Sequence, residues 1–359
     1  MLKVLSKCLL VLSMPFWAVA QATSVVFLNP GNSTETFWVS YAQFMQAAAR
    51  DLGLDLRVRY SERNPENTLV QAREVLQGPV RPDYLVLVNE QYVAPQILRL
   101  AEGSGVKLLI VNNALTADQM QLLGAGDNPN WIGSLVANDE EAGYLMLQDL
   151  LRQHGPIAPG QTLDLLAFSG AKTTPAAQLR EQGLRRALAD FTQVRLRQLV
   201  YGEWNRQRAF EQATQMFKRY PQTALVWAAN DQMALGAMDA LQARGRAPGR
   251  EVLFSAINSS PEALQARLDG RLSTLVAGHF TMGGWAMVLL HDDALGVDIS
   301  HYGGRERQEP LFQLIDPPLA TQLLRHSANQ DYHVDFRALS AVGKSAHYRY
   351  PFILRLLMD

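Results

Sequence analysis

Residues 225–245 read LVWAANDQMALGAMDALQARG. The apolar run at 225–228 (LVWA) is too short for a buried helix and has the character of a strand covered on both faces. Asn230 and Asp231 carry turn and helix-capping chemistry. Apolar side chains then recur at helical spacing across 232–244. A strand that turns directly into a helix is one βα unit.

The same alternation runs outward in both directions. Towards the N-terminus, SVVFL (24–28) is followed by a helical pattern over 37–52, and further strand patterns lie at 56–60, 84–88 (YLVLV) and 108–111 (LLIV). Helical patterns near 68–76 and 95–102 separate them. A second series begins after Gly133, with helices at 139–152, 176–190, 206–219 and 261–268 and strands at 163–168, 195–200, 252–257 and 272–276. Repeated βα units imply parallel sheets with helices on both faces. Ten or so strands in one open twisted sheet would be unusual. The expected fold is therefore α/β, with two doubly wound parallel-sheet lobes.

No Pro/Gly/Ser-rich linker separates the lobes. Loop-like stretches at 123–137 (LGAGDNPNWIGSLVA), 279–284 and 296–310 are the candidate crossings, the last followed by an apolar strand, LFQLI, at 311–315. Three crossings make a hinge. The expected first lobe is 21–136 plus 280–308, and the second 137–279 plus 309–315. The remainder, 316–359, reads as an irregular extension that packs on the body through FRALSAV and PFILRLL.

Composition narrows the function. A chain of 359 residues with 48% hydrophobic and 19% charged content is neither disordered nor collagen-like. Lys plus Arg number 33 against 34 Asp plus Glu, leaving no excess of positive charge for a nucleic-acid backbone. The single cysteine, Cys8, excludes an internal disulfide framework and a paired-cysteine metal site.

Cys8 also lies in a leader. Residues 1–20, MLKVLSKCLLVLSMPFWAVA, place Lys3 and Lys7 before an apolar run that ends in Ala18-Val19-Ala20, a small-x-small cleavage signal. The apolar run is shorter than the roughly 20 residues a membrane span needs, and Lys7 before the cysteine speaks against a lipoprotein. Cleavage near Ala20 and a periplasmic location are expected. The two lysines leave with the leader and no acid does, so the exported chain would carry a net charge of −3.

In open α/β sheets ligands bind beyond the carboxyl ends of the strands. Amides and aromatics dominate those positions here. Asn29, Asn32, Glu35, Phe37 and Trp38 follow the first strand; Asn89, Glu90 and Gln91 follow YLVLV; Asn112 and Asn113 follow LLIV; Asn230-Asp231 and Asn258 follow two strands of the second series. Any one of these asparagines has an ordinary explanation as a cap or turn residue. Their recurrence at five strand ends points to a ligand. An amide both donates and accepts hydrogen bonds, which suits a neutral, hydroxyl-rich molecule, and Trp38 and Trp204 could stack on a sugar ring.

The arrangement resembles the sugar-binding, ribose-type family of type I periplasmic binding proteins, receptors for ABC importers or for membrane sensors. The similarity spans roughly residues 24–315. It rests on LVWAANDQMALGAMDALQARG, on PAAQLREQGLRRAL (175–188) and on NPGNSTETFWVSYAQFMQAAARDLG (29–53). The resemblance implies ligand contacts from Phe37, Trp38 and Asn89, and from Asn112 and Asn113 where many members have Asp-Arg. It further implies Gln178 at a place usually held by arginine, then Trp204, Asn230, Asn258 and His279. These exchanges imply a pocket less charged than usual. Glu35 or Lys172 could restore a charge, or both are solvated loop residues.

Other chemistry finds no support. The chain has no GxSxG elbow, no GxxxxGK[ST] loop and no HExxH spacing, and Gly103-Ser104-Gly105 lacks the third glycine of a dinucleotide site. His291-Asp292-Asp293 is read as capping or solvated charge at a helix end rather than a metal site. The expectation is a non-enzymatic, monomeric receptor without cofactor or metal. It would close on a small polar ligand, most simply a carbohydrate, and hand it to an ABC permease. The competing partner is the ectodomain of a sensor kinase or cyclase, and a secreted enzyme on the same fold is the remaining alternative.

Overall fold

The computed structural model describes residues 22–123, 128–329 and 332–357. The expected leader lies outside the described residues, as do 124–127 of the expected first loop. From the N-terminus the chain forms β1 (Ser24–Asn29), α1 (Thr36–Leu52), β2 (Asp55–Tyr60), α2 (Pro65–Gln77), β3 (Tyr84–Leu87), α3 (Ala94–Ala101), β4 (Lys107–Val111), α4 (Ala117–Leu123) and β5 (Trp131–Ala137). It continues through α5 (Asp139–His154), β6 (Leu163–Ser169), α6 (Pro175–Asp190), β7 (Val194–Tyr201), α7 (Arg206–Arg219), β8 (Thr223–Ala228), α8 (Asp231–Gln242), β9 (Leu253–Ile257), α9 (Pro261–Leu268) and β10 (Thr274–Ala277). Last come α10 (Met282–Ala294), β11 (Glu306–Glu309), β12 (Gln313–Leu314) and α11 (Pro317–Asn329).

The strands form two six-stranded sheets, ordered β11-β5-β4-β3-β1-β2 and β12-β10-β9-β8-β6-β7. Pairing is parallel except for β12 against β10. In the first sheet, Val25, Phe27, Val86 and Leu109 belong to one buried cluster, and Val26, Leu28, Leu85, Leu87 and Leu108 to another. Successive strand residues point to opposite faces, so these continuous apolar runs are the signature of a sheet covered on both sides. The chain passes between the sheets after β5, between β10 and α10, and between β11 and β12.

The structure corrects the sequence reading in four places. Residues 131–137, expected as loop, are β5, hydrogen-bonded between β4 and β11. The Gly/Asn-rich composition disguised it: Gly133 has φ of 152° and stands where the register against β4 shifts. A Cβ at Gly133 would lie 2.3 Å from the Arg305 carbonyl, so the glycine permits a close crossing. The polar edge strand β11 carries no apolar signal, and β12 is shorter than the strand expected at 311–315. The segment after Asp316 begins with α11 rather than irregular chain. Asp316 accepts the Leu319 amide at 2.9 Å, and Leu319, Ala320 and Leu323 bury one face against α9.

From α11 the tail crosses to the first lobe. Tyr332 and Phe336 make edge contacts with Phe44 of α1, and Phe352 stacks on Trp285 of α10 at 5.3 Å. Asp292, expected as solvated charge, is fully buried and accepts from Ser340 Oγ, the Ala341 amide and Tyr350 Oη. Its neighbour Asp293 accepts from Tyr84 Oη and Lys107 Nζ.

Candidate functional site

The strand ends of the two sheets face each other across a narrow cavity with a free volume of about 40 Å³. Eight of the ten ligand contacts implied by the resemblance line it: Phe37, Trp38, Asn112, Asn113, Trp204, Asn230, Asn258 and His279. Towards solvent, Glu35, Arg63 and Trp204 lead to a wider mouth with Asn32 on the first lobe and Gln207 on the second.

The aromatic wall is built by backbone geometry. Phe37 and Trp38 sit in the first turn of α1, their rings 4.9 Å apart and edge-on. A Cβ on Gly31 would lie 2.0 Å from the Trp38 ring, so the glycine seats the indole. On the second lobe Glu203 and Trp204 both adopt positive φ, 53° and 64°, a left-handed turn uncommon for side-chain-bearing residues. This turn lays Trp204 against Gly170, with the Arg180 guanidinium 5.7 Å from its ring centre. His279, in the second crossing, lies between Phe37, on which it stacks, and Phe312, tilted at 36°, with centroids 4.6 Å away on each side.

The polar groups divide by commitment. Asn230 caps α8, accepting the Met233 amide at 2.9 Å, and donates to the Trp204 carbonyl. It is a structural cap and a cavity wall together. Asn113 donates to Glu90 and accepts the Ala176 amide, at 3.0 and 3.1 Å. Asn258, at φ of 100°, donates to Asp231. Asn112 also has positive φ, 65°, and its side-chain amide has no partner among the described residues. The Trp38 and Trp204 indole nitrogens and His279 Nδ1 are likewise buried without partners.

Two expected contacts are corrected. Asn89 does not line the cavity: its Nδ2 donates to the Ala114 carbonyl and to Gln119, and its Oδ1 accepts the Ala94 amide, so it braces the loop after β3. Gln178 is also outside, exposed and bonded to Tyr92 Oη and the Lys172 carbonyl. Two residues along α6, the arginine at 180 reaches the cavity instead.

The cavity is also more charged than the sequence implied. Glu35, Arg63, Glu90 and Arg180 all line it, whereas Lys172 is exposed. Arg63 pairs with Glu35 and, at 3.1 Å, with Glu90. Burial opposes its charge, yet the two carboxylates hold the guanidinium above its ordinary range. Glu90 is pushed up by burial, with Arg63 and Thr174 opposing. Arg180 donates to buried Asp139 at 2.7 Å and to the Ala229 carbonyl. Asp139 too is raised by burial, against the pull of Arg180. Arg63 was missed because SERNPEN after β2 reads as solvated loop, and Arg180 because helical spacing alone does not say which residue of a turn faces a cleft.

His279 is fixed as a neutral ring. Burial first, and then the nearby Arg180 charge, hold its imidazole well below the ordinary range. Arg180 Nη2 lies 3.5 Å from Nε2. A guanidinium only donates, so Nε2 is the acceptor and Nδ1 carries the proton.

A family model for the periplasmic binding protein domain matches residues 25–296. The chain belongs to the periplasmic binding protein family. This receptor is 65% identical to a periplasmic sugar-binding protein from Pseudomonas fluorescens, with a TM-score of 0.88 over 94% of this chain and 100% of that one. It is 24% identical to the ribose import binding protein RbsB of Salmonella typhimurium, over 72% of this chain and 81% of the relative. A D-ribose/D-allose-binding protein of Pseudomonas aeruginosa is 36% identical over 42% of this chain and 44% of its own length. The periplasmic receptor has the topology of this family: two sheets, with the cavity where their strand ends meet.

Proposed function

We propose that this periplasmic binding protein receives a neutral monosaccharide between its lobes and delivers it to the permease of an ABC importer. The observation that carries the reading is a division of labour around the cavity. Its charged groups are already paired, while among the described residues two indole nitrogens and the neutral His279 Nδ1 are buried without partners. Buried polar groups without hydrogen bonds cost roughly 1–3 kcal/mol each. A polyhydroxylated ring supplies acceptors and donors to them and apolar C–H faces to Trp38, Trp204 and Phe37. Named relatives that import or bind ribose, allose and galactofuranose support the same class.

The reading includes export by residues 1–20 with cleavage after Ala20, and action as a monomer. The N-terminal mass of periplasmic protein tests the cleavage.

A thermal-shift screen tests the ligand class. A ligand that binds only the native state raises its melting temperature, by about 2.7 kcal/mol of stabilisation at a hundredfold excess over Kd. Neutral pentoses and hexoses, as furanose- or pyranose-forming sugars, are expected to stabilise the protein. Stabilisation confined to uronic acids, sugar phosphates or amino acids would refute the reading.

A further inference from the structure

Three polar bridges run directly from one lobe to the other. Thr174 Oγ1 donates to Glu90 at 2.8 Å, the Ala176 amide donates to Asn113 Oδ1 at 3.1 Å, and Gln178 Nε2 donates to Tyr92 Oη at 2.8 Å. All three donors belong to the opening of α6 or the residue before it. All three acceptors follow β3 or β4 in the first lobe.

The first-lobe half is preassembled. Glu90 Oε1 also accepts from Arg63 and Oε2 from Asn113 Nδ2, while Glu35 holds Arg63 from the other side. The turn that presents Tyr92 has Gln91 and Tyr92 at positive φ, 49° and 65°. Such backbone is costly for residues with side chains and persists where surrounding contacts enforce it. Glu90 and Asn113 are themselves buried, at 6% and 2% exposure, so separating the lobes at these bridges uncovers polar groups that the closed form satisfies.

We propose that Glu90 and Asn113, engaging Thr174 and the Ala176 amide, form a clasp that draws the lobes together before any ligand arrives. Glu90 is then a positioning residue for closure rather than a ligand contact. The ligand selects and further stabilises a closed state that the free protein already populates, instead of supplying the whole driving force. Affinity is set in part by side chains that the ligand does not touch. The inference rests on the receptor reading above, but its test needs no ligand.

The exported chain is expected to lack cysteine, so a labelled pair can be introduced without background. Asn32→Cys and Gln207→Cys place nitroxide labels on exposed residues at opposite sides of the cleft mouth. Protein unfolded in guanidinium and refolded, to strip any bound sugar, is measured by double electron–electron resonance. The ligand-free protein is expected to show a populated short distance. Thr174→Val removes one charge-assisted bridge and should lower the ratio of short to long distances about tenfold, and adding Asn113→Ala should lower it further. Circular dichroism verifies that both variants are folded. Only a long distance in the ligand-free parent, or a short distance that neither substitution changes, overturns the clasp. Addition of D-ribose and D-allose to the same samples reports separately on the sugar reading, which can fail while the clasp stands.

Discussion

The indole of Trp204 lies directly on the backbone of Gly170, where a Cβ would come within 2.0 Å of Cζ2 and 2.2 Å of Cη2. Contacts this short are impossible, so the glycine is what allows the ring to form this wall of the cavity. It does so without a left-handed backbone of its own; the conformational demand falls on Glu203 and Trp204, at φ of 53° and 64°.

Gly170→Ala should therefore expel Trp204 from its seat while leaving the two sheets intact. An immobilised aromatic against a sugar ring contributes about 1 kcal/mol or more beyond area burial, so sugar affinity should fall by at least about fivefold. Intrinsic fluorescence should report a changed indole environment, and calorimetric titration with the best sugar from the thermal-shift screen should report the affinity. Unchanged affinity together with a displaced indole would remove Trp204 from the binding site.

A second expectation concerns pH. His279 is held neutral in the fold, its imidazole well below the ordinary range through burial and then Arg180. On lowering the pH, the unfolded chain takes up this proton first, near pH 6.5. The contribution of His279 to stability is thus complete above that value and is lost as pH falls towards the depressed native value. The slope for one proton is up to about 1.4 kcal/mol per pH unit. Urea unfolding of the parent and of His279→Asn between pH 7.5 and 4.5 isolates the effect, because the buried carboxylates are common to both proteins. The parent should lose stability relative to the variant below about pH 6.5; parallel pH profiles would contradict a buried neutral ring.

Much of this was legible in the chain. Strand–helix alternation is a local signal, and β1, β3, β4, β6 and β8 to β10 announce themselves as apolar runs because both faces of their sheets are buried. The rule that ligands gather at strand ends led to Phe37, Trp38, Asn112 and Trp204, and the family resemblance to His279; all of them line the cavity. What stayed hidden depends on direction rather than composition. Asn89 and Glu90 are neighbours, yet one braces a loop and the other faces the cleft. Gln178 and Arg180 lie two positions apart on one helix, which turns them to different sides. β5 and β11 escaped notice because one carries a glycine at a register shift and the other is a polar edge strand.

The extension after β12 offers the last test. Its course runs from α11, packed on α9 of the second lobe, to the outer surface of α1 and α10 in the first. Three donors from it converge on one buried carboxylate: Ala341 N and Tyr350 Oη on one oxygen of Asp292, at 2.6 and 2.7 Å, and Ser340 Oγ on the other. Burial, and then the bond to Asp292, hold the Tyr350 phenol above its ordinary range, consistent with a donor locked to an acceptor. Hydrogen bonds to charged groups contribute roughly 1.5–3 kcal/mol each and are not additive when they share one acceptor. Asp292→Ala should then cost about 3 kcal/mol of stability and release the tail locally before the lobes unfold. Hydrogen–deuterium exchange should quicken across 332–352, the Ala341 amide first, while the strands of both sheets keep their protection. If exchange in the tail matches the parent, aromatic packing of Phe336 and Phe352 on Trp285 holds it without Asp292, and the carboxylate is not its anchor.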